Sequence, residues 1–112
     1  MPKKRDLKIF LDDILEEIEK IEKFTKGIKK PEDLEKNEVI YYAVLKALEN
    51  IGEAVKHIPE EMRDFHALEW KKIAGLRDII IHEYFGIDTD IIWDVVKNKL
   101  PMLKLEIKKM LL

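Results

Sequence analysis

The chain has 112 residues, enough for one domain with a single contiguous core. Hydrophobic residues make up 46% and charged residues 39%, with only four Gly and four Pro, a balance that favours amphipathic helices over disorder or a many-turned β-protein. The absence of Cys excludes a disulfide framework and a thiolate metal site. A formal net charge of -2 excludes nucleic-acid binding through bulk positive charge, so any such contact must be local.

The N-terminal sequence and the hydrophobic pattern bear on localisation. No apolar run approaches the roughly 18 to 20 residues of a membrane span, and the segment from Met1 to Arg5 leads into charged sequence instead of a signal-peptide core. We therefore expect a soluble, cytoplasmic protein without membrane contact.

Two helices are predicted in the first half of the chain. Apolar residues recur at steps of three and four from Leu7 to Phe24, which predicts a helix from about Lys4 to Lys26 that Gly27 ends. Pro31 suits a first helical turn, so a second helix is predicted from there to near His57.

The second half continues the helical pattern. A short third segment is predicted from Pro59 toward His66, and a fourth helix from about Leu68 to Tyr84, ended by Gly86. Asp88 or Thr89 should cap a fifth helix, which Pro101 is expected to kink or split. The connections are short and strand patterns are absent. The sequence thus predicts one all-α domain over residues 1–112, an up-down bundle of four to five helices.

Three consecutive isoleucines in the fourth helix, Ile79, Ile80 and Ile81, predict a second copy of the chain. At about 100° per residue they point in three directions, so one buried stripe cannot cover them all. A partner related by a two-fold axis is the simplest additional cover. We therefore expect a homodimer that associates through this helix.

Common catalytic motifs are absent. The chain has no Ser, no Cys and no Gly-rich phosphate loop. His82 and Glu83 resemble the start of a zinc-binding HExxH helix, but the second histidine position is Gly86. The sequence therefore predicts neither a metal site nor another cofactor.

Arginine and histidine on the fourth helix are the remaining candidates. His57 and His66 lie at a helix end and in a polar segment, where structural or surface roles are expected. Arg77 lies in the most apolar helix and needs an anion there. That anion is either a carboxylate such as Glu53 across the bundle, with His82 capping the helix end, or a phosphate.

In the second interpretation, Arg77 offers its planar donor fork to a phosphate, and His82 moves a proton to or from a ribose hydroxyl or leaving oxygen. An ideal helix sets the two side chains roughly 140° apart. Only a cleft straddling the helix, or a site shared by two protomers, brings both to one ligand.

The extended motif resembles the HEPN superfamily, in particular its HepT-like branch. Arg77 and His82 match that family's R-x4-6-H motif, and Tyr84 extends the match to R-x4-H-x-Y. The surrounding residues are also similar: Gly75 to Asp78, His82 to Asp88, Ile92 to Asp94, and Asn50 to Ala54. Asp78 departs from the pattern, because many members have Asn or His there; its carboxylate would hold Arg77 or weaken its attraction for phosphate.

The resemblance implies a toxin that cleaves RNA without metal and is paired with a minimal nucleotidyltransferase antitoxin. It assigns phosphate binding to Arg77, acid or base catalysis to His82, and modification by AMP to Tyr84, with Asp78 and Glu83 in supporting roles. Two alternatives use the same residues: a nucleotide- or substrate-binding subunit of a two-component nucleotidyltransferase, and a dimeric interaction module in which Arg77 is salt-bridged.

Overall fold

A computed structural model of the chain describes residues 4–59 and 70–112, and these form an all-α bundle. The α-helices are α1 (Lys4–Phe24), α2 (Pro31–Lys36), α3 (Glu38–Lys56), α4 (Trp70–His82), α5 (Thr89–Asp94) and α6 (Leu100–Leu111). A 3-10 turn (Tyr84–Gly86) precedes α5, and a π-helical turn (Val95–Lys99) joins α5 to α6. The all-α prediction is confirmed. The predicted segment toward His66 lies outside the described residues.

The core lies along α3, which packs between α1 and α4, while α6 packs against α1. Each of the four long helices, α1, α3, α4 and α6, buries one apolar stripe, as its three- and four-residue spacing predicts. The buried side chains of α1, α3, α4 and α6 include Ile14, Ile18 and Ile21; Val44, Leu48 and Ile51; Ile73, Leu76 and Ile80; and Leu103 and Ile107, respectively. Among the described residues, the core contains no buried charged or polar side chain.

Asn37 divides the predicted second helix in two. Its backbone is not helical (φ -97°, ψ 89°), and its N–H donates to the carbonyl of Leu34, which ends α2. Its side-chain oxygen accepts a hydrogen bond from the backbone N–H of Ile40 at 3.1 Å, which caps α3. The prediction of one uninterrupted helix from Pro31 was wrong, because asparagine can satisfy the first N–H groups of a new helix.

Helix α4 ends earlier than predicted, at His82 instead of Tyr84. Glu83 leaves the helical region (φ -129°, ψ 33°), although its N–H still donates to the carbonyl of Ile79 at 2.8 Å. Tyr84 therefore stands on the 3-10 turn, after the helix that carries Arg77. The tyrosine therefore lies outside the helix that the sequence predicted to include it.

The segment around Pro101 confirms the predicted interruption of the last helix. Asp88 caps α5 by accepting a hydrogen bond from the N–H of Asp90 at 2.9 Å. At the π-helical turn, the N–H of Leu100 donates to the carbonyl of Val95, one residue further back than in an α-helix. A wide turn of this kind accommodates a proline ring that would otherwise clash with the preceding turn.

Within the described ranges, no helix is long and apolar enough to cross a membrane.

Candidate functional site

Arg77 pairs with two carboxylates at the contact between α3 and α4. Its Nε lies 2.6 Å from Oε2 of Glu53, and its Nη1 lies 3.3 Å from Oδ1 of Asp78. The Arg77 side chain is 32% exposed, compared with 51% for Glu53. Glu53 is thus the carboxylate partner of Arg77 that one of the two interpretations of the sequence predicted. Asp78 contacts the same guanidinium.

Gly52 allows α3 to approach α4 closely at this point. A Cβ atom built on Gly52 would lie 2.9 Å from Cβ of Arg77 and 3.2 Å from the carbonyl oxygen of Ile73. Both distances are tighter than ordinary van der Waals contact, so any larger residue would push the helices apart. The same glycine precedes Glu53 in the chain, which places the Glu53 carboxylate within reach of Arg77.

The charged network extends beyond Arg77. Lys56 Nζ lies 3.5 Å from Oδ1 of Asp78, and Nε2 of His57 lies 3.8 Å from Oε1 of Glu53. The His57 ring stacks on Phe10 with the ring centroids 4.5 Å apart and the planes nearly parallel. His57 follows the last residue of α3 and is half exposed, in agreement with the surface position expected for it. His66 lies outside the described residues.

His82 stands on the exposed end of α4, one residue before the backbone turns away. Within residues 4–59 and 70–112, the structure gives its side chain no hydrogen bond, ion pair or ring contact. His82 lies five positions after Arg77 in the same helix, so helical geometry sets the two side chains roughly 140° apart. Within one chain, Arg77 therefore contacts Glu53 and Asp78 but not His82. Glu83 is exposed beside it.

The three consecutive isoleucines of α4 differ in exposure, as expected for side chains that point in three directions. Ile80 is buried in the bundle at 3% exposure, whereas Ile79 and Ile81 are 46% and 45% exposed. The prediction that one bundle cannot cover all three is confirmed. Two apolar side chains of α4 thus remain on the surface on either side of Ile80.

Tyr84 lines an open groove of about 430 Å³ between α3 and α4. Its ring meets Tyr42 edge-on with the centroids 6.0 Å apart, and meets the fully exposed Phe85 at 5.2 Å. The Tyr84 side chain is partly exposed. Lys46 and Glu49, which also line the groove, form a 2.8 Å ion pair that raises the pKa of Lys46 above its ordinary value.

Tyr42 and Lys46 were not among the residues singled out from the sequence. A signal was present, because Tyr42, Lys46 and Glu49 recur at steps of four and three and therefore share one face of α3. Continuing that spacing by one turn reaches Glu53. The spacing alone does not identify this face of α3 as part of a groove, because the sequence shows neither the element that packs beside it nor its exposure.

Comparison with known proteins gives consistent matches over nearly the whole chain. The model of the family described as "Ribonuclease HepT-like" matches residues 14–110. The chain is 46% identical over 106 residues to "Putative RNase MJ1380" of Methanocaldococcus jannaschii, covering 94% of this chain and 96% of that protein. It is 43% identical over 108 residues to "Probable ribonuclease HepT" of Thermococcus cleftensis, covering 96% and 97%.

One relative is considerably longer. "Gamma-glutamylcyclotransferase and putative RNase MJ0434" of Methanocaldococcus jannaschii is 43% identical over 109 residues, which cover 96% of this chain but 49% of that protein. The chain therefore spans about half the length of that relative. No solved structure gives a significant match.

Proposed function

Because the chain belongs to the ribonuclease HepT-like family, we propose that it is a metal-independent endoribonuclease and the toxin of a toxin–antitoxin pair. The observation that carries the proposal is the partly exposed side chain of Arg77 on a helix whose exposed last residue is His82. Residues 1–112 would act as one such domain. Its substrate would be RNA, and its partner a minimal nucleotidyltransferase.

In the proposed reaction the ribose 2′-oxygen attacks the adjacent phosphorus, and the bond from phosphorus to the 5′-oxygen breaks. Arg77 binds the phosphate and stabilises the charge that develops on its oxygens. His82 takes the proton from the 2′-hydroxyl or gives one to the leaving 5′-oxygen. The products are a 2′,3′-cyclic phosphate and a 5′-hydroxyl, so the step consumes no water and needs no cofactor.

We propose that two protomers complete the site. Arg77 and His82 of one protomer diverge around α4, so a cleft across a two-fold axis is the simplest way to bring both residue types to one phosphate. The exposed Ile79 and Ile81 on the same helix support an interface there. Burying them against a second copy would remove apolar surface from water.

The carboxylates beside Arg77 do not prevent phosphate binding. The Arg77–Glu53 pair is partly exposed, and such pairs contribute only about 0.2 to 1 kcal/mol. An RNA phosphodiester, which like a carboxylate carries one negative charge on two free oxygens, can bind the remaining donors of the guanidinium. Asp78 and Glu83 have supporting roles in this proposal, Asp78 through its contact with Nη1 of Arg77.

We further propose that AMP transferred to Tyr84 by the nucleotidyltransferase silences the enzyme. The partly exposed phenol stands two residues beyond His82, at an open groove that gives an enzyme access. The added phosphodiester would introduce a negative charge and a bulky nucleoside, which would repel and block incoming RNA.

A second candidate is a non-catalytic nucleotide- or substrate-binding subunit of a two-component nucleotidyltransferase. The His82 side chain favours it, because within residues 4–59 and 70–112 no contact orients the imidazole for proton transfer. Incubation of the protein with end-labelled RNA in EDTA tests both candidates. We expect fragments with a 2′,3′-cyclic phosphate. Binding of ATP or AMP without any cleavage would instead support the second candidate.

A further inference from the structure

Helix α3 contacts the Arg77 side chain at two points, its Cβ atom and its Nε atom. At the base, the Cβ of Arg77 lies against Gly52, where the helices approach so closely that no additional side-chain atom fits. At the guanidinium, the Glu53 carboxylate lies 2.6 Å from Nε, the nitrogen next to the aliphatic stem. Two successive residues of one helix thus restrict a long side chain that would otherwise sample many rotamers.

The Glu53 contact restricts the direction of the guanidinium. Nε carries a single N–H, so a carboxylate bound there determines the direction in which the planar group extends. The other four N–H groups belong to the two terminal nitrogens. Asp78 approaches one of these nitrogens at 3.3 Å, a longer contact than that of Glu53.

Enough donors remain for a phosphate. An arginine side chain has five N–H donors, and the contacts to Glu53 and Asp78 occupy about two of them. A phosphate bound at the end of the guanidinium needs one donor from each terminal nitrogen. Arg77 can therefore bind Glu53 through Nε and a phosphate through its far edge at the same time.

We propose that Glu53 is a positioning residue, which holds the Nε side of Arg77 so that its terminal nitrogens face the RNA phosphate. This inference rests on the proposed ribonuclease function. The carboxylate has two opposing effects on the reaction. It aligns Arg77 with the phosphate, and its negative charge weakens the attraction between this surface and RNA.

Kinetic measurements distinguish the two effects, because alignment of Arg77 changes kcat and the negative charge of Glu53 changes KM. Replacement Glu53→Ala removes both alignment and charge, so kcat should fall about 10- to 100-fold while KM for RNA stays equal or decreases. Replacement Glu53→Gln removes the charge but keeps an oxygen that accepts from Nε. For this variant kcat should stay within about threefold of wild type, with tighter RNA binding at low salt.

Glu22 provides a matched control. It forms a 2.8 Å ion pair with Lys104 between α1 and α6, so Glu22→Ala removes the same charge and the same kind of inter-helix pair away from α3 and α4. Its kcat should equal that of wild type. Equal kcat values for Glu53→Ala and Glu22→Ala would overturn the inference, as would an increase in KM as the only effect of Glu53→Ala.

An NMR measurement reports on the pair without relying on catalysis. The Nε–H signal of Arg77 should exchange slowly with water in the wild type, Glu53→Gln and Glu22→Ala proteins, and rapidly in Glu53→Ala. An unchanged signal in Glu53→Ala would overturn the inference. A wild-type protein that fails to cleave RNA in EDTA would overturn the proposed function itself, whereas active wild type with a fully active Glu53→Ala variant overturns the positioning role alone.

Discussion

Gly52 of α3 and Arg77 of α4 lie so close that a Cβ atom on Gly52 would be 2.9 Å from the Cβ of Arg77. This contact defines where the two helices meet. It also determines the position of the neighbouring Glu53, whose carboxylate binds Arg77. Helix packing and the arrangement of the candidate site therefore depend on the same glycine.

Replacement Gly52→Ala should force α3 and α4 apart. The expected loss is about 1 to 3 kcal/mol of unfolding free energy, as for other overpacked sites, together with reduced RNA cleavage because Arg77 moves. Thermal unfolding followed by circular dichroism measures the first effect. Gly75→Ala on α4 is the control, because its added Cβ meets nothing within 4 Å and alanine favours a helix. A Gly52→Ala protein as stable and active as Gly75→Ala would contradict this account.

Aspartate at neighbouring positions of α4 should distinguish folding from association. Ile80 is in the core, so Ile80→Asp places an unpaired carboxylate there and should unfold the chain. Ile79 is 46% exposed, so Ile79→Asp should preserve the helical signal but dissociate the dimer in sedimentation experiments. Leu105→Asp, at an exposed position of α6, should remain dimeric. Monomeric wild-type protein at micromolar concentration would refute the shared site.

Tyr84 should be the residue that the nucleotidyltransferase modifies. After co-expression with the cognate enzyme, mass spectrometry should find one or more AMP units on Tyr84. Tyr84→Phe should retain RNA cleavage but escape silencing, because the phenol oxygen that accepts AMP is absent. Tyr42→Phe is the matched control, since this exposed tyrosine contacts Tyr84 edge-on and lines the same groove. If the transferase still neutralises Tyr84→Phe, the silencing site lies elsewhere.

The fold could be predicted from the sequence because the apolar spacing of each helix is strong. The breaks were less predictable: Asn37 caps α3 through its side chain, and the chain leaves α4 at Glu83. Asparagine is tolerated inside and at the ends of helices, so its type alone does not locate a boundary. The Asp88 cap was predictable because acidic residues commonly precede helices.

The candidate site was only partly predictable. The residue types and spacing single out Arg77 and His82, and periodicity correctly divides Ile79, Ile80 and Ile81. The close approach at Gly52 depends on how two distant segments pack, which no local pattern specifies. The sequence offered a carboxylate or a phosphate as alternative partners of Arg77. The structure is compatible with both, since the pair with Glu53 leaves the donors of the terminal nitrogens available.

A mixed dimer tests most directly whether Arg77 and His82 from two protomers act on one RNA phosphate. The Arg77→Ala and His82→Ala chains would be co-expressed with different affinity tags, purified as the heterodimer and assayed for RNA cleavage in EDTA. We predict that each variant homodimer is inactive and that the heterodimer recovers activity, because Arg77 of one protomer then meets His82 of the partner subunit. A heterodimer as inactive as both homodimers, or a His82→Ala homodimer that still cleaves RNA, would contradict the account.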